Sequence, residues 1–190
     1  MSFNQRVMFM QTFMKNPKRV GSVTPSSRFL AEKMVRSVPW NKVTALAELG
    51  SGTGAITNLI QSRVEGEAKV LLFEMDDRMK NHLQTIYPDF SCHSNALHLT
   101  KVMKHKGIQQ LDCVISGLPF FNFEDDLRES LINQVNEALK PGGYFIAFQY
   151  SLQMKKHLSR KFVIEKIDLV PLNFPPAFVY LCRKKEEDLK

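Results

Sequence analysis

The spacing of apolar residues along the chain changes period repeatedly, and each change marks an element. Residues 2–14 place Phe3, Val7, Met10 and Met14 on one stripe, flanked by Phe9 and Phe13, with Gln5, Gln11 and Thr12 elsewhere. That spacing predicts an amphipathic helix, which Asn16-Pro17 ends. Residues 21–27 are rich in turn formers, and Ser26 or Ser27 is placed to cap a second helix reaching about Val38. The period then shortens: 44–49 and 69–74 are short β-rich runs, while 54–64 between them put Ile56, Leu59, Ile60 and Val64 at helical spacing. This is a βαβ unit. Further strands are predicted at 90–93, 111–116, 144–150, 163–170 and 177–184. A later helix at 124–139 turns Leu127, Leu131, Ile132, Val135 and Leu139 inward and is stopped by Pro141-Gly142-Gly143.

Strands alternating with helices imply a mostly parallel sheet, because parallel neighbours need a crossover and right-handed crossovers lay helices over both faces. The last two strands are joined only by 171–176, too short for a helical crossover, so they should form an antiparallel hairpin at the end of a seven-stranded sheet. The expected class is α/β in one structural unit: N-terminal amphipathic and capping helices over 1–40, then the sheet domain over 41–190. Hydrophobic residues at 44% and charged residues at 24% suit a packed globular core.

The three cysteines, Cys92, Cys113 and Cys182, are far apart and have no CxxC spacing or histidine partner, so neither a disulfide framework nor a metal site is indicated. No apolar run approaches the roughly 18–20 residues that span a bilayer, and the first 20 residues are too polar for a signal peptide. A cytoplasmic protein is expected. The net charge of +7 favours anionic partners but does not choose among nucleic acid, an anionic membrane and an anionic substrate. The cationic stretch Lys155, Lys156, Arg160 and Lys161 reads as a solvated helix face.

The candidate chemistry begins where the first strand of the βαβ unit runs into its helix. Gly50 can make the tight turn, Gly52 lets the backbone approach a ligand, and Gly54 lets the helix start close to the sheet. A dinucleotide site would want its third glycine at position 55, which is alanine, and no anion beside the phosphates, yet Glu48 precedes the turn. A cationic ligand bearing an amino acid tolerates Glu48, which could take its ammonium directly or through water. The E/D-x-G-x-G-x-G pattern of residues 48–54 resembles the class I S-adenosylmethionine (SAM) methyltransferases, whose fold is Rossmann-like. That resemblance implies Glu74 on the ribose hydroxyls, Met75 against the adenine, and Asn95 with Ala96 beside the adenine amino group.

Residues 116–120, Ser-Gly-Leu-Pro-Phe, resemble the N/D/S-P-P-Y/F motif of amine-directed methyltransferases and its N-L-P-Y variant. In that motif an oxygen accepts from the target amine and a ring faces the methyl group in transfer. The roles pass by resemblance to Ser116, the carbonyls of Gly117 and Leu118, and Phe120, with Ser116 also lining the cofactor site. Serine is a weaker acceptor than asparagine, one residue is inserted, and phenylalanine lacks the hydroxyl, which weakens the case for a flat nucleobase amine. Tyr150, at the end of its strand, is the candidate base.

Over most of its length the chain resembles the short bacterial phospholipid N-methyltransferases, through G-S-V-T-P-S-S at 21–27, E-L-G-S-G-T-G at 48–54, S-G-L-P at 116–119 and N-F-P-P-A at 173–177. The resemblance implies SAM as cofactor and an amine-bearing phospholipid as substrate. It also implies peripheral attachment at the inner membrane face, for which residues 1–20 offer an apolar stripe with Arg6, Lys15, Lys18 and Arg19. The rRNA adenine dimethyltransferases share the glycine turn but carry a helical RNA-binding domain after the sheet, so nucleic acid ranks second. A SAM-binding or membrane-associating protein without catalysis ranks third.

Overall fold

The computed structural model describes residues 26–186. The helix expected over 2–14 and the loop up to Pro25 lie outside the described residues.

A sheet of seven strands in the order β3-β2-β1-β4-β5-β7-β6 organises the chain. β1 (Ala45–Leu49), β2 (Lys69–Phe73), β3 (Ser91–His93), β4 (Leu111–Ser116) and β5 (Leu139–Gln149) pair in parallel. β1 is buried at all five positions, as a central strand with both faces covered must be, which is why it reads as an almost unbroken apolar run. β6 (Phe162–Val170) and β7 (Ala177–Lys184) form the expected antiparallel pair. β7 inserts between β5 and β6, leaving β6 at the edge.

Among the described residues, three α-helices cover each face. α1 (Arg28–Arg36), α2 (Ala55–Gln61) and α3 (Asp77–Ile86) bury Leu30, Met34, Ile56, Ile60 and Leu83 on one face. α4 (Leu99–His105), α5 (Asp125–Ala138) and α6 (Met154–Lys161) bury Leu99, Met103, Leu131, Val135 and Leu158 on the other. Of the two serines the sequence offers, Ser27 caps α1, accepting from the Leu30 N–H. The basic stretch forms most of α6, with Lys155, Lys156, Arg160 and Lys161 exposed.

Four strands differ from their expected bounds by one residue at an end, and one differs by more. The segment expected over 144–150 is strand from Leu139, directly after α5, and it ends at Gln149. Pro141, Gly142 and Gly143 lie within it, accommodated by a register shift between Leu111 and Cys113. A Cβ on Gly143 would sit 2.8 Å from the Lys140 carbonyl, so a side chain has no room there. Tyr150 consequently falls just outside the strand.

No helix among the described residues is long and apolar enough to cross a membrane.

Candidate active site

Strand order reverses between β1 and β4, and the carboxyl edge at such a switch point is where α/β sheets hold their ligands. The loops after β1, β2 and β4 meet there. The Gly50 and Ser51 N–H groups donate to the Phe73 carbonyl at 2.8 and 3.1 Å, and the Gly117 N–H donates to the Leu49 carbonyl at 2.8 Å. A Cβ on Gly50 would lie 3.0 Å from Leu118 Cδ2, so a larger residue would push the two loops apart.

Gly52 stands at φ +54, and a Cβ built on it meets nothing within 4 Å. The open space lies where the sequence places a ligand against backbone. Its N–H donates to Glu74 Oε2 at 2.7 Å, while Glu74 Oε1 accepts from the Asp76 N–H at 2.8 Å. Glu74 therefore ties the glycine loop to the end of β2 and keeps lone pairs for further donors. Gly54 starts α2 at φ +86, and a Cβ there would press on Leu83 at 3.1 Å and Tyr87 at 3.4 Å. The close approach is to α3 rather than to the sheet.

Glu48 is fully buried, and its Oε2 accepts from the Thr57 hydroxyl at 2.7 Å. Burial pushes its carboxyl from 4.5 up to about 8; the Thr57 hydrogen bond opposes this and the Glu74 charge adds to it. Glu48 Oε1 and the Ser51 hydroxyl are buried with no hydrogen-bond partner. Two acidic side chains beside an open glycine turn, Glu48 held neutral by burial until a cation arrives to favour its ionised form, form a site for a ligand rich in donors and positive charge. An amino acid ammonium and ribose hydroxyls, as in SAM, meet that description.

Asn95 caps the short turn Ala96–His98 by accepting from the Leu97 N–H at 2.9 Å, and Ala96 is buried behind it. Met75, next to Glu74, packs partly buried against the core. These residues follow β2 and β3, at the same carboxyl edge.

Ser116 is buried, and its hydroxyl accepts from the Leu118 N–H at 3.1 Å. The Leu118 carbonyl accepts from both Gln149 Nε2 and the Phe120 N–H, each at 2.9 Å, which uses its two lone pairs. Phe120 is 1% exposed and packs edge-on against Phe123 and Phe145. The ring exposed on this loop belongs to Phe121. Tyr150 lies partly buried among the residues on the α1 to α3 face, edge-on to Phe148.

Two residues that the sequence reading passed over hold this loop. Arg128, on α5, is 6% exposed and donates to the carbonyls of Phe120, Phe121 and Phe123 at 3.0, 3.0 and 2.7 Å. Gln149 spans from the Leu118 carbonyl to the Phe121 N–H. Both had a signal: Arg128 shares the inward stripe with Ile132 and Val135, and Gln149 continues the buried alternation of Phe145 and Ala147.

Comparison with known proteins agrees with this geometry. Residues 46–143 match the methyltransferase domain family. Over 186 residues the chain is 31% identical to the ornithine lipid N-methyltransferase of Singulisphaera acidiphila, covering 95% of this chain and 96% of that one. The structure of the N-methyltransferase NodS from Bradyrhizobium japonicum with S-adenosyl-L-homocysteine aligns at TM-score 0.69 and 13% identity, over 93% of this chain and 98% of that one. TrmN from Thermus thermophilus aligns at TM-score 0.64 and 15% identity over 82% of this chain, which spans about half of TrmN's length (48%). At those identities the two structures share the fold. With the family match over the glycine turn and the crevice built around it, the chain belongs to the methyltransferase domain family and is a SAM-dependent methyltransferase.

Proposed function

We propose that this enzyme methylates the amine of a lipid headgroup. The observation that carries the reading is the 31% identity, over nearly the full length of both chains, to a lipid N-methyltransferase.

In this reading Glu48 Oε1 takes the cofactor's ammonium, Glu74 its ribose hydroxyls, and Asn95, Ala96 and Met75 surround the adenine. Bound SAM supplies an electrophilic methyl group on a sulfonium. The protein's task is then to hold a neutral amine in line with that methyl, out of water. Of the two backbone acceptors expected after β4, the Leu118 carbonyl is used internally, so the Gly117 carbonyl is the one left to accept from the amine. The Phe120 ring supports the loop from the core rather than facing the methyl group. Tyr150, expected as the base, would take the proton of the alkylated amine only while passing its own phenolic proton on to water.

Radiolabelled SAM offered with liposomes of defined headgroup, and separately with ribosomal RNA, tests the reading. Label in an amine lipid is the expected result. Label in RNA alone would overturn the substrate and leave the methyltransferase in place.

A further inference from the structure

We propose that the β6–β7 turn and the start of α1 form a docking surface for an anionic phospholipid bilayer. The inference rests on the lipid reading above and adds where the membrane sits. Phe29, Leu172 and Phe174 are 59%, 64% and 84% exposed, and Leu152, on the connection leaving β5, is 48% exposed. All four lie at the carboxyl edge of the sheet, where β5 and β6 end and β7 and α1 begin. Folding gains nothing from such exposure, and clustered exposed apolar side chains mark interaction surfaces.

The turn is built to present them. Asn173, between Leu172 and Phe174, is 5% exposed; its Oδ1 accepts from the Ser27 N–H at 3.0 Å and its amide donates to the Pro175 carbonyl at 2.7 Å. Anchoring the middle residue turns its neighbours outward, and Pro171, Pro175 and Pro176 restrict the backbone around it. The apolar tips are thus held rather than frayed.

Charge selects the partner. Arg28 is exposed beside Phe29, and Lys155 and Lys156, in the first turn of α6 just after Leu152, are exposed at the same carboxyl edge of the sheet. Glu124, Asp125 and Asp126 are exposed beyond Phe121, so the surface stops short of that side. Exposed apolar tips at an edge that also carries exposed cations suit the headgroup and acyl boundary of an anionic leaflet. The pairing of Phe178 with Gln149 sets the turn beside the residue that holds the Leu118 loop. A headgroup would then reach the crevice without its lipid leaving the bilayer.

The test uses the full chain and vesicles of phosphatidylcholine with phosphatidylglycerol, which contain no amine substrate. The paired change Leu172→Ser with Phe174→Ser should lower vesicle affinity at least about tenfold, since two large apolar side chains no longer enter the bilayer. Melting temperature and SAM affinity should match the unchanged protein. Independently, Phe174→Trp should show emission quenched by brominated acyl chains. Unchanged vesicle binding by the paired variant, or an unquenched tryptophan, overturns the docking surface and points to residues 1–25 or another face. Methylation of a micelle-dispersed amine lipid without vesicle binding overturns docking and keeps the substrate. Docking through Phe174 with no methylation of any amine lipid keeps docking and overturns the substrate.

Discussion

The Gly52 N–H and Glu74 Oε2 meet at 2.7 Å, so the loop after β1 and the end of β2 are joined through a carboxylate that the proposed function also assigns to the ribose. In that reading one residue both shapes the turn and binds the ligand. Glu74→Ala should weaken SAM binding by about 1.5–3 kcal/mol, the value of charge-assisted hydrogen bonds, read as a roughly ten- to hundredfold rise in Kd by calorimetry. A Kd within twofold of the unchanged protein would remove Glu74 from the site.

Gly52→Val separates space from fold. Nothing stands within 4 Å of the added Cβ, so the cost to stability is the left-handed backbone, about 1–2 kcal/mol. The side chain would fill the approach to the glycine turn. The variant should fold, with a modestly lower Tm, and show no SAM binding. Full binding would place the ligand elsewhere.

Glu48 gives stability a pH dependence of unusual sign. Its carboxyl titrates near 8 in the folded chain against 4.5 unperturbed, so between those values the folded protein keeps a proton that the unfolded chain has released. This contribution is complete below about 4.5 and is lost as pH rises through about 8. The buried charge costs on the order of a few kcal/mol at high pH. Glu48→Gln should therefore gain stability relative to the unchanged protein as pH rises from 5 to 9 in ligand-free melts. Parallel Tm curves across that range would refute the burial of this carboxyl.

Arg128→Met leaves the carbonyls of Phe120, Phe121 and Phe123 without their buried donor. Stability should fall by roughly 2–4 kcal/mol in urea melts, and kcat should fall as the loop after β4 loosens, with SAM affinity little changed. A loss confined to SAM binding would tie the residue to the cofactor instead.

Gln149→Leu keeps the strand but removes the donor to the Leu118 carbonyl and the acceptor for the Phe121 N–H. Methyl transfer should drop while the Kd for SAM holds, because the glycine turn and Glu74 do not touch Gln149. Equal loss in both measurements would show that the two loops move as one.

Most of the α/β frame follows from local pattern. The β1 run, the helical spacing of Ile56 and Ile60, and the three glycines between 50 and 54 carry periodicity and turn chemistry within a few residues of each other, so the βαβ unit and the place of its crevice are determined by sequence alone. The same holds for the antiparallel β6–β7 pair, whose short connection leaves no room for a crossover, while the structure chose Ser27 from the two serines the sequence offered as the cap of α1. Tertiary structure decided the rest. That β7 lies inside the edge strand depends on which strand buries more against β5, a comparison between distant segments. That Phe120 is core and Phe121 rim depends on packing across α5 and β5. The bond from Ser27 to Asn173 joins residues 146 apart, and the Arg128 and Gln149 contacts to the loop after β4 likewise come from other elements. Periodicity reports which face a residue occupies; only the packed chain determines which partner waits there.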